Sequence, residues 1–257
     1  MKKILSLFYG LVCYLAFFGT ILYAIGFVGN LVVNKSIDGT PEVPLWNAIL
    51  INASLLLLFA LQHSIMARPG FKRWWTTIIP HHLERSTYVV LASGCLILLM
   101  WQWQPMGGII WSTENETVKN ILLVVYLFGW SLVFLSTFLI NHFDLFGLRQ
   151  VWLYFRGKPY TQLPFRTPLF YRFVRHPLYL GFLIAFWATP VMTAAHLLFA
   201  VLTTAYIFTA IQLEERDLQT TFGQKYKSYK KDVPMIVPFS KVKSAKGEDL
   251  TVQKDWA

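Results

Sequence analysis

Two short stretches in the last third of the chain carry residue types suited to holding a charged ligand. The first reads Tyr171-Arg172-Phe173-Val174-Arg175-His176-Pro177-Leu178-Tyr179-Leu180-Gly181. It joins cations to a rigid turn, because proline is favoured at the first position of a helix. Taken alone, Arg175 and His176 would serve equally well as contacts to lipid headgroups at a membrane edge. The second stretch contains the adjacent carboxylates Glu214-Glu215, followed by Arg216-Asp217-Leu218, Phe222-Gly223-Gln224-Lys225-Tyr226-Lys227-Ser228-Tyr229 and Val233-Pro234. The carboxylates are expected at the C-terminal end of a long apolar helix, where the helix dipole opposes them unless a cation or ligand compensates. The plain alternative is that one of them pairs with Arg216 or a loop arginine.

These residues must be positioned by membrane helices. The chain has 257 residues, of which 55% are hydrophobic and only 14% charged, with a mean hydropathy of +0.47. That is too apolar for an ordinary soluble domain. The net charge of +10 could suggest nucleic acid, but the basic residues cluster in short segments between apolar runs, which is a topology signal. Cys13 and Cys95 both fall inside apolar segments and read as packing residues. His81-His82 with Glu84 invite a metal reading, but adjacent histidines point apart on a helix and no further ligands converge, so a loop role and no metal are expected.

A bilayer-crossing helix needs roughly 20 mostly apolar residues. Four segments qualify, at residues 5–33, 45–66, 86–103 and 118–140. A fifth apolar run, 178–213, is too long for one span and is interrupted at Thr189-Pro190, which predicts a proline-broken helical hairpin. The expected fold is therefore an all-α integral membrane protein of four transmembrane helices followed by that hairpin. The domain would cover residues 1–239, with a cofactor-binding part at about 141–239 and a polar tail at 240–257. Lys2, Lys3, Arg68, Lys72, Arg73, Arg85, Arg149, Arg156, Lys158, Arg166, Arg172 and Arg175 all fall on one face, which the positive-inside rule makes cytoplasmic, with both termini. Trp46, Trp101, Trp103 and Trp111 flank the opposite boundaries and read as interfacial anchors.

The ordered set Arg-His-Pro-x-Tyr-x-Gly, apolar hairpin, Glu-Glu-x-x-Leu, Phe-Gly-x-x-Tyr-x-x-Tyr and Val-Pro resembles the isoprenylcysteine carboxyl methyltransferase and phospholipid methyltransferase superfamily. The resemblance covers roughly the last third of the chain and is far more specific than any single element. Asn141-His142-Phe143-Asp144-Leu145-Phe146-Gly147-Leu148-Arg149-Gln150 is similar to a narrower branch, the methanethiol S-methyltransferases. Gln62-His63-Ser64-x-Met66-Ala67-Arg68 recurs in related bacterial membrane proteins, which implies a bacterial inner membrane location.

The resemblance implies S-adenosyl-L-methionine as methyl donor and a small thiol as acceptor, with membrane lipids as surroundings. Arg175 or His176 would hold the donor's carboxylate and Glu214 or Glu215 its amine. Tyr171, Arg172 and Pro177 complete the motif, Tyr179, Tyr226 and Tyr229 would touch ribose or adenine, and Gly181 would permit close backbone approach. A thiol is mostly protonated near neutral pH, so a base or a cationic field must help form the thiolate. His63, His142 and Asp144 are the candidate bases, and Arg149 the candidate cation. Each has a structural reading as well: a polar helix end for His63, and an N-cap or an Arg149 partner for Asp144. Other acceptors in the same reaction class are an isoprenylcysteine carboxylate or a phospholipid amine. A sterol-type reductase using NADPH shares an Arg-His-Pro-like segment, but the paired carboxylates favour methyl transfer. A nonenzymatic membrane protein would show polar residues across the bilayer midplane, whereas the ionisable residues here gather at one face.

Overall fold

The computed structural model describes residues 1–238; the expected tail and the last residue of the expected domain lie outside them. Five helices are long and apolar enough to cross a membrane among the described residues. They are α1 (Lys2–Gly29), α2 (Leu45–Ala67), α4 (His81–Gln102), α5 (Glu116–Ile140) and α9 (Ala194–Phe222). Shorter helices lie between them: α3 (Pro69–Trp75), α6 (His142–Leu145), α7 (Leu148–Phe155), α8 (Pro177–Trp187) and, after α9, α10 (Gln224–Asp232). The expected all-helical membrane architecture is what the chain adopts.

The hairpin is unequal, and its tip can be located. With 11 residues, α8 rises only about 16 Å, against roughly 30 Å for a hydrocarbon core. Beyond the Thr189-Pro190 interruption the chain runs as a short strand, β2 (Val191–Thr193), paired antiparallel with β1 (Ile109–Ser112). Because β1 belongs to the connection between α4 and α5, the tip reaches the end of the bundle opposite Arg175. Packing of α8 on α5 depends on two glycines. A Cβ on Gly129 would lie 2.8 Å from the Gly181 carbonyl oxygen, and one on Gly181 2.6 Å from that of Gly129. The backbone that approaches Gly181 is thus that of a neighbouring helix, so helix packing accounts for this glycine as well as the close approach of a ligand would.

The strand-bearing end is fastened by directed hydrogen bonds. The buried Asn52 amide donates to the Gln104 carbonyl at 2.8 Å and accepts from the Gln104 N–H at 2.9 Å. Asp38 accepts from Thr193 and, at 2.7 Å, from Asn30. Trp103 departs from its expected role as an interfacial anchor, because it is fully buried and donates to the Ile37 carbonyl at 3.0 Å. Trp46 and Trp101 are exposed, as anchors would be. The first apolar run also ends early: α1 stops at Gly29, with Asn30 in a left-handed conformation, and the chain turns back so that Ile37 N–H reaches the Phe27 carbonyl. At the other boundary, α4 begins at His81, so His81 and His82 open a helix where a loop was expected.

Among the described residues, segments expected on the basic face meet at the other end. Ser6 contacts His82 at 3.0 Å, Arg85 donates to the Leu145 carbonyl at 2.6 Å, and Arg68 of the α2–α3 junction pairs with Asp217 of α9 at 2.9 Å.

Candidate functional site

At this basic end, Glu215 is the centre of a buried charge cluster. It is 2% exposed and accepts from Arg175 Nε at 2.7 Å, His176 Nε2 at 3.2 Å and Lys230 Nζ at 2.5 Å. The two carboxylates, expected at a helix end, lie inside α9, which continues to Phe222. Two turns inside, the dipole contributes little, and the cost of Glu215 is desolvation, which Arg175, Lys230 and the His176 hydrogen bond offset. Lys230 was not a candidate from sequence; its only signal was an α10 spacing that could not be referred to Glu215 without the fold.

The Val-Pro motif explains how Arg175 and His176 are held. Their backbone N–H groups donate to the carbonyls of Pro234 and Met235 at 2.8 and 3.1 Å, and Arg175 Nη1 donates to the carbonyls of Val233 at 2.5 Å and Lys230 at 3.1 Å. The segment after α10 therefore acts as a backbone cradle for the cations. Pro177, fully buried, starts α8 directly beyond them.

Glu214 differs from its neighbour. Its side chain is 44% exposed and lies 3.8 Å from His176 Nδ1, close also to Tyr179 and Tyr171. It is the more accessible carboxylate of the two, while Glu215 is engaged by Arg175, His176 and Lys230. Arg172 is exposed on a turn of 3-10 helix (Leu169–Arg172). Tyr229 donates to the Tyr171 carbonyl at 2.5 Å, and Tyr171 to the Ser136 carbonyl at 3.4 Å. Phe165 packs on both Tyr226 and Tyr229. Burial pushes the phenols of Tyr171, Tyr226 and Tyr229 up, so all three stay neutral. The Tyr226 hydroxyl is buried with no hydrogen-bond partner among the described residues, an uncompensated cost that a ligand group would relieve.

The four expected catalytic residues do not share one chamber. His63 of α2 stands with both ring nitrogens 3.0 Å from the Tyr88 hydroxyl, beside the Ser64–Tyr206 contact of 3.1 Å between α2 and α9. Tyr88, Tyr206 and Arg85, whose guanidinium lies 5.0 Å from the Tyr88 ring centroid, were not found from sequence. His142 is buried elsewhere: Nε2 meets the Tyr14 hydroxyl and Nδ1 the Thr137 hydroxyl, both at 2.8 Å, and the ring stacks on Phe138. Both nitrogens are engaged, and burial lowers its pKa from the ordinary 6.5. Asp144 accepts from Arg149 at 2.8 Å, while Arg149 also reaches the Thr161 carbonyl at 2.9 Å and hydroxyl at 2.8 Å. The Arg149 pairing, the structural reading of Asp144, is thus present. Between the two groups stands Arg85, touching Leu145 on one side and Tyr88 on the other.

With this geometry in hand, comparison with known proteins is informative. Residues 125–225 match the phospholipid methyltransferase family. A methanethiol S-methyltransferase of Crocosphaera subtropica is 52% identical over 95% of this chain and 96% of its own. One of Mycobacterium tuberculosis is 52% identical over 93% and 98%, and methanethiol S-methyltransferase 1 of Bradyrhizobium diazoefficiens is 54% identical over 92% and 83%. No solved structure matches the chain. The chain belongs to the methanethiol S-methyltransferase family of membrane methyltransferases.

Proposed function

With that membership as premise, we propose that this chain transfers a methyl group from S-adenosylmethionine to methanethiol, giving dimethyl sulfide. The observation that carries the reading is identity at about half of all positions, over more than nine-tenths of both chains, with proteins named methanethiol S-methyltransferase.

The residues present suit the donor. A half-exposed carboxylate, Glu214, beside the buried His176 imidazole fits an amine, and the unpartnered Tyr226 hydroxyl fits a polar adenosine atom. Arg172, Arg175 and His176 supply the positive edge for a carboxylate, with Tyr171, Tyr179 and Tyr229 around it. Glu215 fixes Arg175 and His176, while Pro177 and Gly181 fix the start of α8. When bound, that donor supplies an electrophilic methyl carbon whose bond to sulfur breaks as the thiolate sulfur bonds to it, leaving two neutral thioethers.

What the chain must do is remove the thiol proton and exclude water. His63 takes the proton in this reading, held by the Tyr88 hydroxyl, while the Arg85 guanidinium over Tyr88 favours the thiolate electrostatically. A dry setting assists, because opposite charges cancel as the reaction proceeds. His142, Asp144 and Arg149 shape the loop that closes the site. The basic end faces the cytoplasm in an inner membrane, where the donor is made and where the basic segments belong.

The phospholipid methyltransferase match favours one second reading, a phospholipid amine as acceptor. Purified protein with labelled S-adenosylmethionine and, in parallel, methanethiol, a prenylcysteine and a phospholipid separates them. Methylation of methanethiol is expected at least tenfold faster; preference for either large acceptor rejects the thiol assignment.

A further inference from the structure

Apart from the Glu215 cluster, the basic end carries an open cleft of about 610 Å³. It shares no residue with that cluster, and it is far too large for an acceptor of two heavy atoms. Its volume lies within the range of sites for small organic ligands. Basic side chains enter it from three directions: Lys72 from α3, His81, His82 and Arg85 from the start of α4, and Lys158 from the segment after α7. Against these stand Glu84 and Asp144. Asp144 is already neutralised by Arg149 at 2.8 Å, so a single carboxylate opposes three permanent cations.

Some of the basic groups are committed to the protein. His82 stacks on Tyr154 with ring centroids 3.6 Å apart and meets Ser6, and Arg85 Nε donates to Leu145. The ammonium groups of Lys72 and Lys158 are different: among the described residues neither has an ion-pair or hydrogen-bond partner. Burial lowers the Lys72 pKa, and the neighbouring Arg85 charge adds to the effect. Like charges converging on one void, Lys72 and Arg85 partly buried and Lys158 exposed at its mouth, favour an anion that accepts several hydrogen bonds at once. The remaining lining includes Ile140, Leu153, Pro159 and Leu163, an apolar side suited to the uncharged part of an amphiphile. Ile140 ends the spanning helix α5, so the cleft opens at the level where headgroups meet acyl chains.

We propose that this cleft binds a phosphate-bearing anion through Lys72, Lys158 and Arg85, either the headgroup of an anionic phospholipid or a soluble phosphate ester. The site shares no residue with the Glu215 cluster, and Arg85, placed above beside the thiol, is its one link to the methyl-transfer site. The test uses the purified full-length chain in detergent. Native mass spectrometry counts retained phosphatidylglycerol and phosphatidylcholine, and glycerol 3-phosphate and inorganic phosphate are titrated as competitors. The wild type is expected to retain one phosphatidylglycerol in preference to phosphatidylcholine. Lys72→Gln should weaken retention about fivefold, and Lys72→Gln with Lys158→Gln about 25-fold, at about 1 kcal/mol for each cation. Lys72→Arg should restore most of the affinity, and Arg156→Gln, outside the cleft, should leave it unchanged. Thermal unfolding of each variant checks that it is folded. Displacement of the lipid, or direct binding, by glycerol 3-phosphate upholds the site and identifies a soluble ester as a ligand; lipid retention that only the lysine variants weaken upholds it as a lipid site. Equal retention by the double variant, equal retention of phosphatidylcholine, or no binding of any of the four probes overturns the proposal.

Discussion

At the strand-bearing end of the bundle, Asn52, Trp103 and Asp38 tie three connections together with hydrogen bonds to neighbouring backbone and side chains. At the basic end, one carboxylate, Glu215, gathers Arg175, His176 and Lys230 from two segments remote from it in sequence. Both ends solve the same problem, the fastening of helix ends where the bilayer no longer holds them. The difference lies in what a lost contact leaves behind. Loss of the Asn52 amide at the strand end leaves the Gln104 N–H and carbonyl unsatisfied, whereas removal of Glu215 leaves the buried Arg175 guanidinium without its carboxylate partner. The basic end is the costlier to assemble, and it concentrates ionisable groups at the place proposed above for a charged methyl donor.

The sharpest way to break this contrast is Glu215→Ala. Loss of one partner from a buried charge pair costs about 3–5 kcal/mol, so thermal unfolding of the detergent-solubilised variant should start far earlier and methyl transfer should disappear. Wild-type stability for this variant would show that the cluster is not what holds Arg175 and His176. Next in size, Asn52→Leu should cost about 1–3 kcal/mol, since the Gln104 N–H and carbonyl lose their partner in a buried position. Its kcat/KM per folded molecule should match the wild type, and a selective loss of turnover would erase the distinction between the ends. Gly181→Ala introduces a Cβ 2.6 Å from the Gly129 carbonyl oxygen and should cost about 1–3 kcal/mol through overpacking. A variant as stable as the wild type would mean that α5 and α8 can separate freely.

Two smaller effects sharpen the comparison within the basic end itself. Glu214→Gln should leave the unfolding temperature within a degree or two while raising the KM for S-adenosylmethionine about tenfold, as loss of a charge-assisted hydrogen bond implies. Unchanged KM would remove Glu214 from the donor site. His142 predicts a pH effect of definite sign. Its folded pKa is lowered from 6.5 by burial, so folding favours the neutral ring. That contribution is complete above about pH 6.5, where the unfolded chain is also neutral, and is lost as pH falls through the folded value. Stability should decline on acidification in the wild type and less so in His142→Gln; identical pH profiles would mean that another group is responsible.

Much of this was legible in the residues because membranes impose one-dimensional rules. Apolar length, positive flanks and a proline interruption define spans and sides locally, and the motif order from Arg175 to Pro234 singles out the segments that meet around Glu215 without knowledge of their geometry. The limits of that reading show at particular residues. Residues 31–33 are as apolar as a helix, yet the chain turns at Asn30 because Ile37 must pair with Phe27 and Trp103. Trp103 looks like an anchor by position and is core by packing. Glu214 and Glu215 are chemically identical neighbours, and only the 100° step between successive helical positions sends one in among Arg175, His176 and Lys230 and the other towards solvent. Sequence determined that this chain has a bundle, a basic face and the residue types for a zwitterionic methyl donor, because those follow from composition and local order. Tertiary structure alone decided that Lys230 completes the Glu215 cluster, that His63 meets Tyr88 and His142 does not, and that Lys72, Arg85 and Lys158 converge on one cleft, because each depends on side chains brought together from distant parts of the chain.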